Sequence, residues 1–144
     1  MHKKVLIGFV FLSFLGFLIF GISAIMAHKR RIRERKKYTI NKNIRVEVLN
    51  GTNIPDLARR LTYVMRRDSF DVLVYGTSRT KLPKTVVVER RDSTMKCAAH
   101  VASWYGIKEK TLEIDPDHIF DVSVIIGADY KKIFPYLDTL KAIY

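Results

Sequence analysis

The apolar positions change rhythm along the chain, and each rhythm predicts a different element. Residues Val5–Ala27 are 23 positions without a charge, with Phe9, Phe11, Phe14, Phe17 and Phe20 among Leu, Ile and Val. At about 1.5 Å per residue a helix of that length spans roughly 35 Å, against a hydrocarbon core of about 30 Å. A lone segment in lipid must pair its own backbone groups, so the run predicts a single transmembrane helix over 5–27 behind a short tail, 1–4. The rival reading is a cleaved signal peptide with Lys3 and Lys4 as its n-region. The run exceeds the usual apolar stretch of about 7–15 residues, and Ile25 stands where a small residue belongs. Gly8, Gly16 and Gly21 are not spaced four apart, so they form no GxxxG dimerisation face.

After a basic juxtamembrane linker, 28–43, the period becomes two. Ile44-Arg45-Val46-Glu47-Val48-Leu49 alternates as a half-buried strand does. Asn50-Gly51-Thr52-Asn53 reads as a turn, with Asn53 as helix N-cap and Pro55 in the first turn. Ile54, Leu57, Ala58, Leu61, Val64 and Met65 then recur at three- and four-residue steps, one face of an amphipathic helix. Phe70–Tyr75 is a second strand. The order repeats with a strand over 85–90, a helix over 94–105 stopped by Gly106, a loop, and a strand over 121–126. The predicted fold is α/β: a βαββαβ four-stranded sheet with two helices packed on one face. Strands linked through helices are expected to lie parallel. The domain is expected over 44–134, followed by a C-terminal helix over 135–144.

Charge sharpens the picture. The net charge is +12, yet residues 1–37 hold nine Lys/Arg against Glu34 alone, so +8 of it lies there. Lys29, Arg30, Arg31, Arg33, Arg35, Lys36 and Lys37 form a collar suited to an anionic membrane surface rather than to nucleic acid. A solubilising flank explains the same run. Cys97 is the only cysteine, which excludes an internal disulfide and a structural zinc site.

Candidate chemistry is sparse. Asn50, Gly51 and Thr52 lie at a strand-to-helix turn whose backbone amides suit an anion, but a tight capped turn explains them without one. Gly127 and Asp129 follow the last strand, where α/β sheets often hold ligands; Asp129 equally suits a helix cap. Cys97 and His100 lie three apart on one helix, a spacing open to a thiolate–imidazole pair or to a buried small residue beside a ring. Asp115, Asp117, His118 and Asp121 match no calcium-loop spacing. No cofactor, metal site or catalytic set is predicted.

Val46-Glu47-Val48-Leu49-Asn50-Gly51-Thr52, Leu57-Ala58, Phe70-Asp71-Val72 and Val124-Ile125-Ile126-Gly127-Ala128-Asp129-Tyr130 together resemble the LytR cell-envelope regulator C-terminal domain. The resemblance covers roughly residues 44–134. It implies a bacterial envelope module that often follows a membrane helix and a LytR–CpsA–Psr phosphotransferase domain attaching polymers to the wall. Only 28–43 separate helix and domain here, so the transferase activity does not carry over. The resemblance implies a non-catalytic module binding a wall polymer or an envelope protein, on the outer side of the membrane. The collar argues instead for a cytoplasm-facing membrane adaptor. The βαββαβ order is also shared with peptidoglycan-binding SPOR-type domains, an analogy of fold only. A small hydrolase using Asp129 or the Cys97/His100 pair is a further alternative. The expected partners are the lipid bilayer and a wall polymer or envelope protein, with no nucleic acid.

Overall fold

The computed structural model describes the backbone of residues 2–117 and 119–140, and side-chain surroundings from Phe14 onward over the same range. The chain divides into two compact units, Met1–Lys37 and Tyr38–Tyr144.

Helix α1 runs His2–Asn41. The expected linker over 28–43 is therefore helical almost to its end. Nothing between His28 and Ile40 interrupts a helix: the stretch is rich in Lys and Arg, good helix formers, and lacks Gly and Pro. The helix stops in a turn, where the Asn43 and Ile44 amides donate to the Ile40 and Asn41 carbonyls. In the first unit the side chains from Phe14 to Lys37 are exposed on every side apart from the small Gly21, Phe17 being 81% exposed. Among the described residues no helix is long and apolar enough to cross a membrane. The described part of the apolar run is Phe14–Ala27, short of the roughly 20 residues a crossing needs. Side chains of its first half, residues 5–13, lie outside the described set.

The second unit is mixed α/β. Its elements are β1 Arg45–Asn50, α2 Leu57–Arg67, β2 Asp71–Thr77, β3 Val86–Glu89, α3 Lys96–Tyr105, β4 Glu109–Leu112, β5 Val122–Ile126 and α4 Tyr130–Ile133. The five strands form one sheet in the order β2-β1-β5-β3-β4. β1 lies parallel to β2 and β5, and β3 parallel to β4, while β3 and β5 are antiparallel.

This corrects the four-stranded βαββαβ expectation and, with it, the analogy to SPOR-type domains. The second βαβ unit closes on β4, inside a segment expected to be loop. β5 is an additional central strand between the two units. β4 went unread because all four of its residues are exposed. An edge strand with no buried face carries no period-two signal. Its Glu109 and Lys110 are the charged side chains that protect a sheet edge. The expected helix over 135–144 is also displaced: α4 precedes Pro135, and residues 135–139 form turns. Residues 141–144 and His118 lie outside the described set.

Both helices bury their apolar stripes in one core with Val46, Val48, Val87 and Val124 of the sheet. Leu57, Leu61 and Met65 of α2 are fully buried, each contributing about 2–3 kcal/mol. Phe134 and Leu137 close one edge of this core. The expected Asn53 cap is replaced: residues 52–56 turn instead, and Asp56, with φ 65°, precedes α2.

Candidate functional site

Because β1 and β5 are parallel neighbours, Asn50 pairs with Ile126 and both strands end at the same edge of the sheet. The two predicted turns, Asn50-Gly51-Thr52 and Gly127-Ala128-Asp129, are thereby brought together. The segment 78–85 crosses the same edge and is hydrogen bonded to both. Leu82 N–H donates to the Gly51 carbonyl at 3.0 Å, and Ala128 N–H donates to the Leu82 carbonyl at 2.9 Å. Asp129 Oδ1 accepts from the Thr85 amide at 2.7 Å and the Thr85 hydroxyl at 2.8 Å. Thr85 Oγ1 in turn accepts from Gly127 N–H at 3.0 Å.

The glycines are required by close approach. A Cβ on Gly127 would lie 2.2 Å from the Lys84 carbonyl carbon, and one on Gly51 would lie 2.8 Å from the Ile126 oxygen. The polar atoms of the first turn are likewise engaged. Asn50 Oδ1 accepts from the Thr52 amide at 3.0 Å and hydroxyl at 2.8 Å, and Asn50 Nδ2 donates to the Ile54 carbonyl at 2.7 Å. The amides of Gly51, Thr52, Gly127 and Ala128, which would grip an anion, all donate within the protein. The five predicted residues thus meet in one place, and what they build is a clamp on the crossing segment. A cleft of about 170 Å³ beside it is lined by Asn50, Asp56, Arg59, Tyr75 and Thr77.

The other predicted groups serve elsewhere. Burial, and then the charge of Glu89, pushes the Cys97 thiol up to about 11, far from a reactive thiolate. His100 Nε2 lies 2.7 Å from Asn41 Oδ1. Burial works to raise the Asp121 carboxyl, but hydrogen bonds and charge from Arg45 outweigh it and hold that carboxyl below its usual range. Arg45 grips Asp121 at 2.9 Å. Among the described residues no group of three or more His, Cys, Asp or Glu is placed to hold a metal. Lys29, Arg30, Arg31, Arg33, Arg35, Lys36 and Lys37 are exposed along α1.

Several polar residues that organise the domain were not singled out in the sequence. Fully buried Glu89 accepts from the Ala98 amide at 2.7 Å, satisfying the start of α3 from a neighbouring strand. Buried Ser123 donates to Glu47 at 2.7 Å and accepts from Arg90 Nε at 3.0 Å. Buried Asn41 donates to the Asp68 carbonyl at 2.7 Å, beside Tyr38, Phe70 and Trp104, whose rings pack edge to face. These pairings are 9–76 residues apart in sequence, and only the glutamate at the foot of a Val-rich strand was an anomaly that could have been noticed.

A family profile described as LytR cell envelope-related transcriptional attenuator matches residues 43–130. The chain belongs to this family. The LytR-family match begins just before β1 and ends at Tyr130, so both clamp turns lie inside it. Two of the motifs that gave the resemblance, those at Asn50-Gly51-Thr52 and Gly127-Ala128-Asp129, close the clamp in this chain. No curated protein and no solved structure matches the chain.

Proposed function

We propose that this chain is a non-catalytic, membrane-anchored envelope module whose domain binds a wall polymer or an envelope partner protein. The observation that carries the reading is the cell-envelope family match directly behind an apolar helix, with only residues 28–42 between them. The anchor is assigned to residues 5–27. Support comes from the 23 uncharged positions and from apolar side chains exposed all round the helix from Phe14 onward, since a helix apolar on every side has no single face for a protein surface to cover. The domain is assigned to the outer side, as the envelope family favours. A phosphatase fused after Tyr144 in a bacterial host should be active, and the full chain in detergent should co-sediment with purified cell wall at low salt. Loss of co-sedimentation removes the polymer as ligand.

The collar supports a second reading, a cytoplasm-facing adaptor. Seven cations beside an anionic leaflet each add about 1 kcal/mol of attraction. An inactive phosphatase fusion together with a fluorescent cytoplasmic one would select it.

A further inference from the structure

The topology sorts charge between the two ends of the sheet. One end carries the C-termini of β1, β2 and β5 and the N-termini of β3 and β4. Its connecting segments, 50–56, 77–86, 106–109 and 126–139, hold six cations, Arg79, Lys81, Lys84, Lys108, Lys131 and Lys132, against four acids. The opposite end, where the chain enters at residue 38, is formed by 38–45, 68–71, 89–95 and 112–122, with four cations against eight acids. Counting the adjoining helix turns, with Arg59 and Arg60 at the first end and Arg66, Arg67 and Lys96 at the second, the ends stand at +4 and −1.

The four acids at the basic end are already engaged. Asp129 holds Thr85, Glu109 pairs with Lys84 at 2.8 Å, Asp56 pairs with Arg59 at 3.3 Å, and Asp138 pairs with Lys131 at 3.2 Å. Arg79, Lys81, Lys108 and Lys132 are exposed and have no acidic partner among the described residues. The clamp holds the segment bearing Arg79 and Lys81 across the strand ends, close to the turn that leads to Lys132. A cluster of fixed, exposed cations raises the local concentration of a polyanion.

We infer that this rim, remote from the chain-entry end, is the docking surface for a linear phosphate-bearing envelope polymer, as distinct from a nucleic acid. The inference rests on the envelope-binding reading above and names its ligand class. The backbone amides of the clamp turns are engaged, so recognition falls to the side-chain cations around them.

The test uses the full chain in nanodiscs of neutral phosphatidylcholine, titrated with fluorescent inorganic polyphosphate over a range of salt. R79Q/K81Q/K132Q should weaken binding at least about tenfold and reduce the slope of log K against log salt by about two, since each phosphate contact contributes about 0.7–0.9 to that slope in nucleic acids. The entry-end variant K42Q/R91Q should stay within about twofold of the parent, and a collar variant, R30Q/R31Q/R33Q, should leave the rim effect intact. Urea midpoints of all variants establish that folding is unchanged. The inference is overturned if the rim variant binds like the parent, if only the collar variant loses binding, or if single-stranded DNA of equal charge binds more tightly than polyphosphate. Wall sedimentation of parent and rim variant separates the two claims. Equal sedimentation of both removes the rim and keeps the envelope reading; sedimentation of neither removes that reading, while the polyphosphate result still judges the rim.

Discussion

Gly127 shows how a motif residue acts through the space its missing side chain leaves. Its missing Cβ lets the backbone at Lys84–Thr85 pass within van der Waals distance, and alanine would collide with main-chain atoms that have no rotamer to escape into. Gly127→Ala should therefore cost about 1–3 kcal/mol, read as a lower urea midpoint. Gly106→Ala faces open space and only the left-handed φ of 72°, so it should cost about 1 kcal/mol. If the two cost the same, the crossing segment is not clamped. Glu89 gives a second test. Glu89→Ala leaves the Ala98 amide without a buried acceptor, an expected loss of about 1–3 kcal/mol, and Glu89→Gln, which keeps an acceptor oxygen, should lose less. Asp121 supplies a pH test. Its folded carboxyl is held below the usual range, so the unfolded chain binds protons first as pH falls. The stability it contributes is present above about pH 4 and disappears as pH falls through the folded value. D121N should flatten that acid limb in pH-dependent urea unfolding; an unchanged limb would show that the Arg45 pairing is not formed.

Among the elements, the last turn of α1 is part of the domain rather than a tether. Asn41 is fully buried and links the Asp68 carbonyl to His100, while Tyr38 packs against Trp104. Asn41→Ala should destabilise the domain by about 2 kcal/mol, because it leaves buried partners unpaired. It should also speed amide exchange at residues 41–44 ahead of the rest of the sheet. Uniform exchange would place Asn41 in no local role. The edge strands divide differently. β4 carries Glu109 and Lys110 in its first half and exposes only Leu112 as a large apolar side chain, whereas β2 exposes Leu73, Val74 and Tyr75. Arg66 donates to the Val72 carbonyl at 2.7 Å, covering part of that edge with a guanidinium.

At the scale of the whole molecule, charge is partitioned twice: between the collar and the domain, and between the two ends of the sheet. The first partition is visible by counting along the chain. The second is invisible there, because Lys81 and Lys132 are 51 residues apart and Asp71 and Asp121 are 50 apart. Such fields are screened over about 10 Å at 0.1 M salt. Wall co-sedimentation of the full chain should accordingly fall steeply with salt if the rim carries it. A salt-independent interaction would point to an apolar or hydrogen-bonded partner instead.

Sequence alone determined the helix α2, the strands β1 and β5, the two glycine turns and the family, because each is a local signal: a period, a turn residue, a motif. It placed the five candidate site residues in two separate turns. Tertiary structure decided that those turns meet, that their amides face inward, and that β5 enters between two βαβ units and runs antiparallel to β3. Strand order and register depend on which apolar faces fit together across distant parts of the chain, and hydrophobic burial is non-directional. The exposed edge strand β4 and the buried Glu89 could be placed only once those neighbours were known.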